Sequence, residues 1–307
     1  MGGRLEVDDV LAECTTWPLP GRGATGDRWE RLTDLGRRDL ALAKLVEPHH
    51  DAVAILDELG GAHVRTGELW AVWAAEPPFA VLEASQDDDG SWTVCGAKAF
   101  CSGADLVTHA LVTASTPAGP RLFAVPVQQD RVRVERDAPA WAGAGMRRAR
   151  TVTLRFDDVP AEPVGEPGAY TARPGFWLGA IGIAACWFGG AQRVAERLEA
   201  GAERLDPHGL AHLGAVRAEI EAFALAMGAT ADRADAGLDD AAAQRLALVL
   251  RARAADLVDD VVQRVGRATG PGPLVFDGPH AQHVADLQVF VRQHHAERDL
   301  EALGRLP

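Results

Sequence analysis

The sequence has no run of lysine or arginine, no CxxC pair, no low-complexity tract and no apolar stretch long enough to span a bilayer, and each absence removes a class of function. The 307 residues carry a formal charge of −13 and a pI near 5.2. No basic stripe can therefore neutralise phosphates along a nucleic acid or meet an anionic membrane, and neither partner is expected. The four cysteines, Cys14, Cys95, Cys101 and Cys186, lack the spacing of a zinc knuckle or a disulfide framework, and read as buried small apolar side chains in a reducing cytoplasm. At the amino terminus, MGGRLEVDDV places acids where a signal peptide needs apolar residues, and Glu6 stands where a myristoylation signal wants Ser or Thr. A cytoplasmic location is expected. The longest apolar stretch, residues 176–191, falls short of the roughly 20 residues of a spanning helix. Its glycines, Gly179, Gly182, Gly189 and Gly190, suit a helix packed closely against others. No Walker A sequence and no G-x-S-x-G elbow occurs, and Gly143-Ala144-Gly145 precedes a strand pattern instead of following one, so it is not a dinucleotide fingerprint.

What remains is a chain 47% apolar and 24% charged, enough to bury one or two substantial cores. Residues 27–61 follow a helical pattern: Asp27 with Glu30 makes a candidate capping box, and Leu40, Leu42, Leu45 and Val46 follow a candidate cap at Asp39. Residues 1–26, rich in Gly and Pro, read as a loosely ordered arm. From about 70 to 159 the period changes to two, with strands expected at 80–85, 91–100, 109–114, 121–127, 131–135 and 151–156. The acidic run Asp87-Asp88-Asp89-Gly90 reads as a solvated hairpin turn. Helices are then expected at 176–205, 212–236, 239–269 and 279–303. The expected architecture is α+β and multidomain: a short N-terminal helical domain (1–69), a central antiparallel β-domain (70–168) and a C-terminal helical bundle (169–307).

Within the second expected strand, Ser91-Trp92-Thr93-Val94-Cys95-Gly96-Ala97-Lys98-Ala99-Phe100-Cys101-Ser102-Gly103-Ala104 resembles the W-x-x-x-G-x-K-x-[FW]-x-[ST]-x-G/A strand of the acyl-CoA dehydrogenase superfamily. Upstream, Val72-Trp73-Ala74-Ala75-Glu76-Pro77 falls at the family's T-E-P segment, and Arg38 to Ala43, continuing to His49, is similar to its "DLSLARL…H" helix. Downstream, Gly145-Met146-Arg147, the strand after it, and Val164-Gly165 resemble "GM…v.F.dV.vP…vG"; Gly190-Ala191-Gln192-Arg193 resembles "G.AQR", and Gln263 with Gly266 resembles "Q..GG". These segments come in the family's order along nearly the whole chain.

The resemblance implies a bound FAD. It places Val72, Ala74 and Ala75 against the isoalloxazine, with Phe100 stacking on the ring and Ser102 hydrogen-bonding it. An aromatic supplies stacking area and a hydroxyl supplies a donor; the competing reading is that Phe100 is ordinary β-domain core. It further places Arg204 at the FAD pyrophosphate and Gln263 at the adenosine half, contributed from a neighbouring subunit, since a guanidinium fork grips two phosphate oxygens. A homodimer or homotetramer is implied, or a heteromer with a paralogue.

Departures from the pattern concern the chemistry. Dehydrogenation needs a carboxylate to take the alpha proton. Aligning Ala285-Asp286 with the family's "RD" pair puts His294 at the Glu position, the alternative Glu position falls near Gly179, and residues 170–191 contain no acid. The T-E-P threonine is Ala75, and the Gly-Ser-Asp element after it is missing. His294 and His295 are candidate catalytic groups, able to act as a base or to steady an oxygenated flavin, or else a surface pair on an amphipathic helix with Glu297 alongside; no metal site is expected. Trp177 and Trp187 either line a pocket or pack in the core. Three functions follow: an FAD-dependent oxidoreductase acting on an acyl thioester or related small molecule, a flavin monooxygenase using a histidine, or a silent subunit paired with an active paralogue.

Overall fold

A computed structural model describes residues 3–306. The chain begins with α1 (Val7–Leu11), α2 (Thr25–Arg38) and α3 (Leu40–Leu59). It continues through β1 (Trp70–Trp73), β2 (Leu82–Gln86), β3 (Trp92–Cys101), β4 (His109–Thr116), β5 (Gly119–Pro126), β6 (Val132–Val134) and β7 (Val152–Val164). Helices α4 (Ala169–Ala172), α5 (Gly175–Glu199), α6 (Pro207–Asp235), α7 (Asp240–Thr269), α8 (Gly272–Phe276), α9 (Gly278–Phe290) and α10 (Glu297–Arg305) complete it.

The strands pair in the order β1-β4-β2-β3-β7-β5, and an additional β4–β5 pairing closes the last five into a barrel. Alternation along β3, β4, β5 and β7 turns Val94, Val112, Phe123, Val125, Phe156 and Val159 inward, all fully buried. The expected strands are present, and the run 87–90 is the β2–β3 turn, with Asp87 N–H donating to the Ser91 carbonyl at 2.9 Å. Two pairings, β1–β4 and β2–β4, are parallel, so the sheet is mixed. Strand β1 went unlisted among the expected strands because Trp70–Trp73 is apolar on both faces and shows no alternation. Gly96 sits at φ +123, and a Cβ there would overlap the Val81 carbonyl. The motif glycine thus permits the bulge between Val94 and Gly96.

Several helical expectations are corrected. The arm is not loose: Leu5 and Val10 are buried, Arg148 Nε donates to the Gly3 carbonyl at 2.8 Å and Arg28 Nη1 to the Pro18 carbonyl at 3.1 Å. Helix α2 starts at Thr25, not at an Asp27 cap, because its entry is held from the far end of α6: Asp235 accepts from the Gly23 and Thr25 N–H groups and the Thr25 hydroxyl. Asp39 does cap α3, accepting from Ala41 N–H and Leu42 N–H at 3.0 and 3.1 Å. Helix α6 begins five residues before the expected 212, at Pro207, because Asp206-Pro207 is itself a cap and first-turn pair. The last expected helix, 279–303, is broken. After α9 the chain makes a 3-10 turn (Val291–Gln293), extends at His294, and passes through Ala296 at φ +48 before α10. Cys95 is exposed, contrary to its expected burial, since the β2–β3 register turns it outward.

The bundle is held to the N-terminal helices by a backbone-close crossing of α2 with α5. A Cβ on Gly36 would overlap the Cys186 carbonyl, and one on Gly189 the Thr33 carbonyl. Trp187, fully buried beside them, is core. Because backbone stands on the far side of each contact, a methyl group cannot be absorbed by rotamer change. Gly189→Ala is expected to destabilise by about 3 kcal/mol or more, read as a lower midpoint in urea unfolding, whereas Gly214→Ala, in open space on α6, is expected to be neutral or slightly stabilising.

Candidate active site

The residues of the sequence motif converge on a narrow crevice where α3 faces the barrel. Lys44, Leu45 and Pro48 of α3 form one wall; Ala71, Val72, Trp73, Phe100, Ser102 and Val107 form the other. The enclosed space is about 20 Å³, room for about one water-sized group. Three interactions set the walls. Trp70 N–H donates to His49 Nδ1 at 3.2 Å, tying β1 to α3; burial lowers the His49 pKa to about 4, so the ring is neutral and accepts. Trp73 Nε1 donates to the Ser102 carbonyl at 3.2 Å. The Ser102 and Thr151 hydroxyls share a hydrogen bond at 2.9 Å, linking β3 to the start of β7.

Phe100 is not core. Its side chain is 51% exposed and its backbone sits at φ +58, a left-handed conformation that strains a residue bearing a Cβ. Phe79 lies edge-on to it with centroids 6.2 Å apart, and Phe79 and Val81 are also exposed. An aromatic pushed out of the strand by a strained backbone, beside a crevice, is an open stacking platform. Val72 and Ala74 are half-buried and Ala75 is exposed. Beneath the platform, Lys98 is buried and donates to the Thr113 carbonyl and hydroxyl at 2.6 and 2.7 Å; burial lowers its pKa to about 8.

His294 and His295 are not part of this crevice. Both turn to Asp299, His294 Nε2 at 3.7 Å and His295 Nδ1 at 3.2 Å, and it is Asp299, not Glu297, that accompanies them. The Asp299 carboxylate also accepts from the His295 N–H at 3.2 Å, a side-chain-to-backbone bond that competes with a continued helix. Burial lowers the His294 pKa, while His295 is exposed. Arg204 and Gln263 are both exposed, on the turn after α5 and on α7.

The sequence marks α3 as a helix capped at Asp39 without singling out its charged residues. Lys44 and Lys98 are the chain's two lysines, and both lie in the interior. One turn beyond Lys44 stands Glu47, 7% exposed. Burial, reinforced by nearby Asp51, pushes its pKa up to about 7. Among the described residues neither group has a hydrogen-bond or ion-pair partner. Lys44 lies over the Phe290 ring, 5.6 Å from its centroid. Pro48 adds a further polar atom, because it has no N–H to return to the Lys44 carbonyl. A charged residue on an apolar helix was the available signal: α3 has a positive mean hydropathy, yet carries Lys44, Glu47, Asp51 and Glu58.

Two of these acids are spoken for. Arg173, 1% exposed at its side chain, binds Asp51 at 2.8 Å and Glu58 at 3.0 Å. The glycines of α5 make room for this triad: a Cβ on Gly179 would lie 3.0 Å from Asp51 Oδ1, and one on Gly175 would overlap Glu58. Position 179, where the resemblance has an alternative catalytic acid, is therefore filled by a carboxylate from α3.

No family model matches the chain. The amino sugar nitrososynthase of Streptomyces rubradiris is 35% identical over 82 residues, 24% of this chain and 18% of that protein. The L-evernosamine nitrososynthase of a Micromonospora species is 35% identical over 108 residues, 32% of this chain and 24% of that protein. The matches thus span less than a quarter of the length of either relative. Among solved structures, FMN-bound TdsC from a Paenibacillus species superposes with a TM-score of 0.79 at 19% identity, over 92% of this chain and 85% of that one. Butyryl-CoA dehydrogenase from Megasphaera elsdenii does so at 0.77 and 18%, over 89% and 79%. The chain has the acyl-CoA dehydrogenase fold. Its N-terminal helices, central sheet and C-terminal helices follow that fold, and among the described residues no helix is long and apolar enough to cross a membrane.

Two stability outcomes follow from the acids on α3. Arg173→Met strands two buried carboxylates and is expected to cost about 3–5 kcal/mol, seen as a large fall in Tm. Glu47 behaves in the opposite sense. Its folded pKa lies above the unfolded value, so the folded state holds the extra proton, and stability is expected to fall as pH rises from about 4.5 through about 7. Glu47→Gln should therefore raise Tm at pH 8 and leave it nearly unchanged at pH 4.

Proposed function

We propose that this chain is a flavin-dependent oxidoreductase of the monooxygenase kind, oxidising a nitrogen of a small amine-bearing molecule. The observation that carries the flavin reading is Phe100, an exposed aromatic held at positive φ next to a crevice that also presents Ser102 and the edge of β1. Those residues suit an isoalloxazine: Phe100 offers stacking area, and the Ser102 hydroxyl, one bond to Thr151 made, keeps capacity for a ring heteroatom. Val72, Ala74 and Ala75 would border the ring along β1. Bound there, a flavin would supply two-electron acceptance or, once reduced, oxygen activation. The FMN named with TdsC and the nitrososynthase names of the two relatives support this choice.

The dehydrogenase reading, with an acyl thioester as substrate, is less well supported. It requires a carboxylate at position 294 or 179, and the first is a histidine turned to Asp299 while the second is a glycine packed on an Asp51 already paired with Arg173. His294 and His295, turned to Asp299, do not line the crevice.

For FAD, in place of FMN, the adenosine half and pyrophosphate would need Gln263 and Arg204. Their exposure on the bundle suits delivery to a second copy in a homodimer or homotetramer. Within the cytoplasm expected from the sequence, either flavin is at hand. The test is a fluorescence titration of the purified chain with FMN and with FAD. Quenching with saturation is expected, with Phe100→Ala weakening it about tenfold and Ser102→Ala less. If FAD is the flavin, Arg204→Ala and Gln263→Ala weaken FAD and spare FMN; equal affinity in all four variants, or no uptake of either flavin without a coexpressed paralogue, would contradict the reading.

A further inference from the structure

We propose that the cavity bordered by α3, the N-terminal arm and the loop before β1 is a second binding site, taking a small organic monocarboxylate on Arg28. Its volume is about 590 Å³, within the roughly 300–1,000 Å³ typical of small-molecule pockets. No residue lines both this cavity and the flavin crevice: Lys44, Leu45 and Pro48 of α3 turn to the crevice, and His50, Val53 and Asp57 to the cavity. The site is therefore independent of the flavin reading.

Three polar side chains carry the inference: Arg28, His49 and His50, only 3%, 5% and 3% exposed, all border the cavity. Among the described residues Arg28 of α2 makes one hydrogen bond, from Nη1 to the Pro18 carbonyl, and no ion pair. The acids whose charge it feels are Asp51, Glu47 and Glu58; Arg173 holds Asp51 and Glu58, and burial pushes the Glu47 pKa up to about 7. The other two Arg28 nitrogens have no partner and yet are not sealed off, so they face the cavity that the residue borders. A buried guanidinium without a carboxylate is costly. A ligand carboxylate would supply the missing partner in a charge-assisted grip.

The two histidines define the rest of the ligand. His49 Nδ1 accepts the Trp70 N–H, so its proton is on Nε2, which is left as a donor. His50 Nε2 lies 3.4 Å from the Glu13 carbonyl. A carbonyl only accepts, so that nitrogen carries the proton and Nδ1 is left as an acceptor, suited to a hydroxyl on the ligand. Burial holds both rings neutral, with pKa values lowered to about 4 and about 2. Arg28 is thus the interior charge of the cavity, and it matches a monoanion better than a phosphate dianion. At the mouth the acids are already engaged: Asp57 faces Arg22 at 3.7 Å, Glu68 accepts from the Arg65 N–H and Trp70 Nε1, and the Arg65 side chain is in solvent. Trp17, stacked on His50 with centroids 3.8 Å apart, joins Leu19, Val53 and Leu56 as an apolar wall for the ligand's body.

Benzoate, a planar apolar ring with one carboxylate, serves as the probe in isothermal calorimetry on the full chain, with sodium chloride as the ionic-strength control. One benzoate is expected to bind per chain, with neutral benzamide and cationic benzylammonium at least about tenfold weaker and dianionic phenyl phosphate weaker than benzoate. Arg28→Gln is expected to weaken benzoate at least about tenfold. Val53→Phe, which narrows the cavity from α3 and leaves Arg28 in place, weakens it as well, and Arg253→Gln, at an exposed position of α7, leaves it unchanged. The ranking of the four probes on the wild type and the Val53→Phe result decide the matter should Arg28→Gln fold poorly. No benzoate heat, benzamide or phenyl phosphate binding as tightly as benzoate, an equal loss in Arg253→Gln, or unchanged affinity in a folded Arg28→Gln or Val53→Phe would overturn the proposal.

Discussion

The site depends on α3 being clamped on both sides. On the barrel side, His49 accepts the Trp70 N–H, so the first strand cannot shift along the helix. On the bundle side, Arg173 bridges Asp51 and Glu58, and the glycines of α5 give way to that triad. A buried ion triad is a poor source of net stability but a strong specifier of register, since any slip leaves a charge unpaired. With α3 fixed, Lys44 and Pro48 can face the strained Phe100 across a crevice of one-water width. The α2–α5 crossing serves the same end, because it brings Cys186 and Trp187 close enough to α3 and α9 to close the space around Lys44 and Glu47.

Much of this was legible in the sequence. The motif Trp92–Ser102 marked the strand and singled out Phe100 and Ser102, whereas the bulge at Gly96 and the outward turn of Phe100 appear only in the structure. The order helices, sheet, helices was likewise visible from the change of period. The features that stayed hidden depend on distant partners. Asp235 starts α2 from over 200 residues away, and Asp299 interrupts the final helix through a side-chain bond. Strand β1, buried on both faces, gave no alternation to detect.

The candidate site residues divide along the same line. Phe100 and Ser102 lie on a local motif, and the structure brings them together with Val72. His294 and His295 were singled out by alignment to a missing acid, and their side chains turn elsewhere. The buried Glu47 of α3 stayed unmarked because nothing in the local sequence says that its side chain is enclosed. Its burial and its lack of a partner are tertiary facts. Glu47, Asp51 and Glu58 on an otherwise apolar helix that also holds one of the chain's two lysines were nonetheless a readable anomaly.

The flavin site opposite α3 is the claim from which the functional reading hangs, and a crystal structure of the chain grown with FMN addresses it most directly. The account predicts isoalloxazine density stacked against Phe100, with Ser102 at a ring heteroatom and α3 on the far side. Density elsewhere on the molecule, with Phe100 left in solvent, would contradict it.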